Sequence, residues 1–435
     1  PVSAAAEADS APVESAERDS DYPQMRMITI LFFMPAPAGY LPRHSDAALA
    51  TALRSAPIVL LDGARGVGKT TSAQRLAASS VRLPDDIEQL RVDPAAYLRS
   101  LAPPVLLDEW QLEGTDILWT LKRIVDDDPT PGRFILAGSV EPATYGPTYP
   151  LTGRAVRIVM RPMTWAELNG RGAQTSVLTQ LLAGTPPILG QSLGDDFDLS
   201  RLGTPGFPAA RALPDPRHFL DAYAAATSQR AGDEGRDASR LLRAMRVLAT
   251  LTGQAVPDQR VWEAADITKI TWKGYDDLLV RVHFSAALPA FETNRLKRLT
   301  AYPKRFLSDT AMALALSGLT VDDLRSNPTT AGRYLESFVL QQVRPLVDAL
   351  GGAAMHLRTG AGEREVDLVI EMGGPVVGIE VKNGTRPGLG DARHLEWMRD
   401  QVGDRFAFGL VLHTGRDAYP LSDGITAFPI GLLAG

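Results

Sequence analysis

The sequence contains no cysteine. That absence excludes disulfides, thiolate nucleophiles and cysteine-ligated zinc or iron–sulfur centres, and it fits a reducing compartment. Histidine is scarce, and the six present are scattered without ligand spacing, so no zinc site is expected. No run approaches the ~20 apolar residues that a membrane-spanning helix needs, and no membrane partner is expected. Positive charge is not in excess either. A net charge of −6 leaves no global basic field to gather nucleic acid, so any such surface has to be a local patch. The rest is an ordinary soluble composition, 45% hydrophobic and 22% charged. At 435 residues the chain exceeds what one core usually serves, and two or three domains are expected.

The segment 1–38 opens with Ala, Ser, Glu and Asp and little apolar content, and is expected to be disordered. Within it, Ile28 to Met34 before Pro35 has the outline of a signal peptide. Read from Met25, the apolar stretch is short, only Arg26 precedes it, and the chain upstream is acidic, so export is rejected and a cytoplasmic location expected.

The chain is organised around Gly63-Ala64-Arg65-Gly66-Val67-Gly68-Lys69-Thr70, followed by Thr71. This fits the phosphate-loop pattern G-x-x-x-x-G-K-[ST] without departure. The β-branched, apolar run Pro57 to Leu61 predicts the buried strand before it, and Ser72 to Ala78 the helix after it. Glycines let the backbone aim N–H groups at phosphate oxygens, and the helix N-terminus adds partial positive charge. Lys69 is placed to reach the β- and γ-phosphates of ATP, and Thr70 to hold Mg²⁺.

Pro104 to Glu109 is an apolar strand ending in two carboxylates, the Walker B pattern. Asp108 is expected near Mg²⁺, with Glu109 orienting or deprotonating the attacking water. A third strand, Arg133 to Ser139, ends where AAA-type ATPases place a residue that senses the γ-phosphate, so Ser139 is a candidate. Arg154, in Thr152-Gly153-Arg154 ahead of the strand Ala155 to Met160, has two readings. It is either a cation facing transferred phosphate, in cis or from a neighbour in an oligomer, or a surface arginine after a glycine turn. Thr164 and Glu167 have the spacing of a capping box. The stretch Gly203 to Pro208 reads as a loop over a site.

Helices are expected over Arg217 to Ala226, Ser239 to Thr252 and Pro257 to Ala265, with a further one capped by Thr268. A β-like run, His283 to Phe291, follows. The last three of these helices and a hairpin are the order of a winged helix-turn-helix. Arg295, Lys297, Arg298, Lys304 and Arg305 form the densest basic stretch, which suits duplex DNA, whereas Asp276 and Asp277 suit packing against protein.

In the last third, Tyr334 to Val347 is an amphipathic helix. Glu365 to Glu371 and Val376 to Lys382 form a hairpin around Gly373-Gly374. Strand period puts Glu380 and Lys382 on one face, and Asp367 approaches them across the open end. Two carboxylates and a lysine so arranged can bind Mg²⁺ and activate water for phosphodiester cleavage, with Glu336 as a further carboxylate. The alternative is a charged, solvated hairpin face.

Taken in order, the phosphate loop, Asp108-Glu109, Gly138-Ser139, Pro162-Met163-Thr164-Trp165, Pro303 to Thr310, Glu365-Val366-Asp367 and Ile379 to Lys382 resemble prokaryotic AAA-type ATPases. Those ATPases carry a C-terminal domain of unknown function 4143. The resemblance covers nearly everything from Tyr40 onward, and Pro303 to Thr310 is its more specific part. It departs at Ala64-Arg65-Gly66, where Pro-Arg-Gln is frequent, and at Val140, where an amide often follows the sensor serine. The resemblance implies an α/β chain in three parts. An AAA-like P-loop NTPase domain with a parallel sheet spans 39–215. A helical, winged-helix domain spans 216–310, and a restriction-endonuclease-like α/β domain of the PD-(D/E)xK type spans 311–435. It implies Lys69, Thr70, Asp108 and Glu109 at a nucleotide site, and Asp367, Glu380 and Lys382 as a nuclease-like set. The expected activity is Mg²⁺-dependent ATP hydrolysis, with ATP and ADP as ligands and DNA or a partner protein downstream. An ATP-regulated DNA nuclease and a non-enzymatic nucleotide-gated adaptor are the alternatives.

Overall fold

The computed structural model describes residues 39–138, 149–172, 177–182, 185, 190, 196–211, 213–233, 235–291, 302–359 and 363–434. The segment 1–38, the sensor candidate Ser139, and Arg295, Lys297 and Arg298 of the basic stretch lie outside them.

Five parallel strands form the first sheet: β1 (Ile58–Gly63), β2 (Ser79–Arg82), β3 (Val105–Asp108), β4 (Phe134–Ala137) and β5 (Ala155–Met160), in the order β2-β3-β4-β1-β5. Strand alternation feeds two cores. Val59, Leu61, Leu106 and Ile135 pack on one face of the sheet, and Ile58, Leu60, Leu107 and Phe134 on the other. Each such side chain, fully buried, contributes about 1.5–3 kcal/mol relative to exposure. The helix after the phosphate loop is Lys69–Gln74 rather than Ser72 to Ala78. It begins on the loop lysine itself, and the chain then turns into β2, a strand of Ser79, Ser80, Val81 and Arg82 with one buried apolar residue and no apolar run to announce it.

The middle of the chain packs helices Pro216–Asp233, Ala238–Thr250, Asp258–Ala264 and Lys269–Arg281, with the later helix Thr310–Ser317 lying on the first two. His283 takes φ +55 and ends the fourth helix. The expected β run His283 to Phe291 is a strand only over β6 (Ser285–Leu288). Its antiparallel partner is β7 (Lys304–Leu307), well downstream.

Beyond the long helix Pro328–Ala349 lies a mixed sheet of β8 (Ala353–Arg358), β9 (Glu365–Glu371), β10 (Val376–Lys382), β11 (Phe406–His413), β12 (Tyr419–Ser422) and β13 (Ile425–Pro429). Its order is β12-β13-β11-β10-β9-β8, with β10, β11 and β13 mutually parallel and the other pairs antiparallel. Helix Leu389–Val402 covers β10 and β11. The β9–β10 hairpin has the boundaries read from the sequence. Among the described residues no helix is long and apolar enough to cross a membrane.

Candidate functional site

Parallel strands bring the C-terminal ends of β1 and β3 to one edge of the sheet, where open α/β sheets bind ligands. The phosphate loop leaves β1 at Gly63. A Cβ there would lie 2.2 Å from the Met160 carbonyl oxygen, so only glycine fits against β5. Gly68 takes φ +99 and caps the helix that starts at Lys69, a left-handed position that favours glycine. Ala64 and Val67 point down into the core and anchor the loop.

Lys69 is buried, and its Nζ donates to the carbonyls of Gly63 at 2.8 Å and Ala64 at 2.9 Å. Burial lowers its pKa to about 8, against the opposing charges of Asp62, Glu109 and Asp108. Thr70 Oγ1 donates to Asp108 Oδ1 at 2.9 Å. Burial raises the Asp108 carboxyl, and the Thr70 hydroxyl pulls it back. A hydroxyl and a carboxylate side by side, next to a lysine at a helix N-terminus, are the donor set that suits Mg²⁺ and a polyphosphate. They border a cavity of about 370 Å³ lined also by Arg65, Gly66, Gly68, Thr71 and Glu109. Pro208 and Ala209, at the end of the loop expected over a site, line it too.

Glu109 has φ +53, an uncommon conformation for a residue with a side chain, and its carboxylate accepts from the Gln111 side chain. It faces the same cavity as Asp108. Arg154 does not. Ala155 is in register with Ile58, the first residue of β1, so Arg154 lies at the opposite end of the sheet from the loop. It pairs there with Asp126, and the expected cis contact with transferred phosphate is corrected.

Three supporting residues were not singled out in the sequence. Arg43, 5% exposed, donates to the Val67 carbonyl at 2.7 Å and the Arg161 carbonyl at 2.7 Å, and pairs with Glu167 at 3.2 Å. Glu167 completes the Thr164 capping box as expected, and also accepts from the His44 N–H at 2.7 Å. Buried Asp62 accepts from the Gly63 N–H at 2.7 Å and from Arg157 Nε at 2.9 Å, and lies 3.0 Å from His283 Nε2. Tyr223, from the middle helices, donates to the Arg65 carbonyl at 3.1 Å. The signal for Asp62 is a charge at the end of the apolar run Ile58 to Leu61, since a buried charge has to be paired, whereas Arg43 stands beside His44, Ser45 and Asp46 and has no such signal.

The second candidate site lies at the open end of the β9–β10 hairpin. Glu336, Asp367, Glu380 and Lys382 do come together, lining a cavity of about 580 Å³ with Arg260, Arg333, Arg358 and His394. Lys382 Nζ donates to Glu380 Oε1 at 2.8 Å, and the Val381 N–H donates to Asp367 Oδ2 at 2.8 Å. Burial pushes Glu380 up to about 8, with Asp367 pushing the same way and Lys382 opposing.

A second cation in this cluster comes from elsewhere. Lys304, 1% exposed, places Nζ 2.6 Å from Glu336 Oε1, 2.9 Å from Glu365 Oε1 and 3.5 Å from Asp367 Oδ1. Burial works against its charge, but Glu336, Asp367 and Glu365 overcome that and hold the ammonium well above its ordinary pKa. Burial raises Glu336, and Lys304 opposes. The metal roles expected of Asp367, Glu380 and Glu336 do not fit this arrangement, because an ammonium already lies among the carboxylates. Among the described residues no group of three His, Asp or Glu is disposed to hold a metal ion. Nor are Lys304 and Arg305 a DNA surface. Arg305 pairs with Asp258 at 2.6 Å and Asp276 at 2.9 Å, so both its charge and that of Asp276 are answered within the chain.

Residues 55–169 match the family model described as AAA domain. Residues 206–323 and 331–433 match two described as domains of unknown function, DUF8612 and DUF4143. Over 402 residues the chain is 27% identical to the uncharacterized protein Rv2008c of Mycobacterium tuberculosis, spanning 89% of this chain and 83% of that one. Uncharacterized protein Mb2031c of Mycobacterium bovis matches with the same identity and coverage. The Walker-type ATPase PABY2304 of Pyrococcus abyssi is similar at 14% identity and a TM-score of 0.40, over 66% of this chain and 99% of that one. Cdc6p from Pyrobaculum aerophilum is similar at 14% identity and a TM-score of 0.23, over 68% and 98%. Neither structural likeness is close enough to add to what the sheet itself shows. The AAA match and the complete loop on a parallel sheet support a P-loop ATPase fold for the N-terminal part, and the C-terminal match is the domain of unknown function that the motifs resembled.

Proposed function

We propose that the chain is an ATP-binding, Mg²⁺-dependent P-loop ATPase whose nucleotide state acts on its helical and C-terminal parts. One observation carries the reading. The Thr70 hydroxyl and the Asp108 carboxylate are hydrogen-bonded at the mouth of a cavity floored by the phosphate loop and Lys69. Thr70 and Asp108 would hold Mg²⁺, which when bound neutralises charge on the β- and γ-phosphates. Lys69 would exchange its two carbonyl partners for phosphate oxygens, and the N–H groups from Gly66 to Thr70 would cradle them. Glu109 would orient the attacking water and take its proton. Tyr223 on the Arg65 carbonyl and His283 on Asp62 are contacts by which a moving loop would reach the middle helices.

The middle helices and the β6–β7 ribbon follow the order of a winged helix, and we treat that part as the receiver of the nucleotide signal. A nuclease acting through Asp367, Glu380 and Lys382 meets the Lys304 ammonium among its carboxylates and is not carried further as the function. A nucleotide-gated adaptor differs from the ATPase by turnover alone.

The deciding experiment is steady-state ATP hydrolysis with Mg²⁺, with and without duplex DNA, beside Glu109→Gln. Hydrolysis lost in the variant supports the ATPase. Tight ATP binding with no turnover in the parent chain replaces it with the adaptor.

A further inference from the structure

We infer that Lys304 is the resident cation of the C-terminal carboxylate cluster: its ammonium, delivered from the β6–β7 ribbon, takes the place of a divalent metal and clasps the ribbon to the C-terminal sheet. The inference does not rest on the nucleotide reading.

An ammonium has three N–H donors and no acceptor. Lys304 Nζ meets three carboxylates, Glu336 at 2.6 Å, Glu365 at 2.9 Å and Asp367 at 3.5 Å. At 1% exposure it has no water to turn to, and a lysine so buried persists only when paired. The partners come from two other elements, helix Pro328–Ala349 and β9, so the pairing joins three pieces of chain.

Five carboxylate oxygens of the cluster already face donors of this chain. Glu336 Oε1, Glu365 Oε1 and Asp367 Oδ1 face Lys304, Asp367 Oδ2 takes the Val381 N–H, and Glu380 Oε1 takes Lys382. Glu380 Oε2 is the buried oxygen of this set with no hydrogen-bond partner among the described residues. Hard divalent ions seek about six oxygens, and an ammonium in the same nest repels them. The cluster is therefore built as an ionic latch between ribbon and sheet, with Lys304 shared among three carboxylates.

The test uses the full chain without nucleotide, in an Asp108→Asn background so that the phosphate loop contributes no metal site. Bound Mn²⁺ is counted by electron paramagnetic resonance, and melting is followed with and without Mn²⁺. With Lys304 present, no Mn²⁺ should be held by the cluster. Lys304→Met should melt roughly 5–10 °C lower. It should gain one Mn²⁺ that restores the melting temperature and is lost again when Asp367→Asn is added. As a second variant, Lys304→Met with Glu336→Gln removes one charge of each sign and should melt above Lys304→Met alone. Mn²⁺ bound beside an intact Lys304 and lost in Asp367→Asn overturns the inference. So does a folded Lys304→Met chain that takes up no Mn²⁺, or a double variant less stable than the single one.

Discussion

Asp62 Oδ1 lies 3.0 Å from His283 Nε2, so the residue just ahead of the phosphate loop holds the residue that closes the fourth middle helix. Burial pushes the Asp62 carboxyl up, but His283 and Arg157 outweigh it and the pKa is lowered. The same carboxylate takes the Gly63 N–H, so any shift of the loop's first glycine is felt at His283.

His283→Ala should cut that link while Arg157 still pairs Asp62. Nucleotide affinity should stay within about threefold, ~0.6 kcal/mol. Hydrogen exchange of Phe284 to Leu288 should respond less to ATP than in the parent chain. The acid side gives a second reading. A depressed carboxyl contributes stability that is present above its unfolded value, about 3.9, and is lost as pH falls through its folded value. Weakening the depression moves that loss to higher pH, so the acid unfolding midpoint of His283→Ala should rise.

Lys69→Ala should weaken ATP binding by about a hundredfold or more, ~2.7 kcal/mol, read by calorimetric titration. The parent chain adds a pH signature. Free Lys69 titrates near 8, and a polyphosphate favours its charged form. ATP affinity should therefore fall as pH climbs through 8, and binding there should take up a proton. Titrations in buffers of different ionisation enthalpy measure that uptake. It should vanish in Lys69→Met.

Arg43 and Glu167 are both buried, and Arg43 also supports the Val67 carbonyl inside the phosphate loop. Arg43→Ala strands Glu167 and should cost about 3–5 kcal/mol. Its melting temperature should fall and its ATP affinity with it. Recovery of stability without affinity in Arg43→Ala with Glu167→Gln would separate the two duties.

Arg154→Ala should leave ATP turnover within about twofold, because Arg154 pairs with Asp126 at the far end of the sheet. A loss of a hundredfold or more, ~2.7 kcal/mol, would mean that a neighbouring copy supplies this arginine.

The nucleotide site was legible because its chemistry is local. Loop, lysine and threonine are contiguous, and Asp108-Glu109 ends its own strand. The β9–β10 hairpin was legible for the same reason, since period two puts Glu380 beside Lys382 without further knowledge. Choosing between the two readings of Arg154 takes strand direction. A residue that precedes a parallel strand lies at the end away from a loop that follows one. Lys304 was misread because its partners are 32, 61 and 63 positions away in sequence, at Glu336, Glu365 and Asp367. Nothing near Pro303-Lys304-Arg305 shows that acids await it. The edge strand β2 was missed because only Val81 of its four residues is buried.

Adjacent residues of β7 are pulled in opposite directions, Lys304 toward Glu336 and Arg305 toward Asp258 and Asp276. A strand that slips by one residue turns every side chain to the other face. Here a slip one way would bring Phe306 to the helices' aspartates, and a slip the other way would bring Pro303 to the nest of acids, so either leaves one set of carboxylates unanswered. The two neighbouring cations thus add charge to the hydrophobic pattern in fixing the register of β6 with β7.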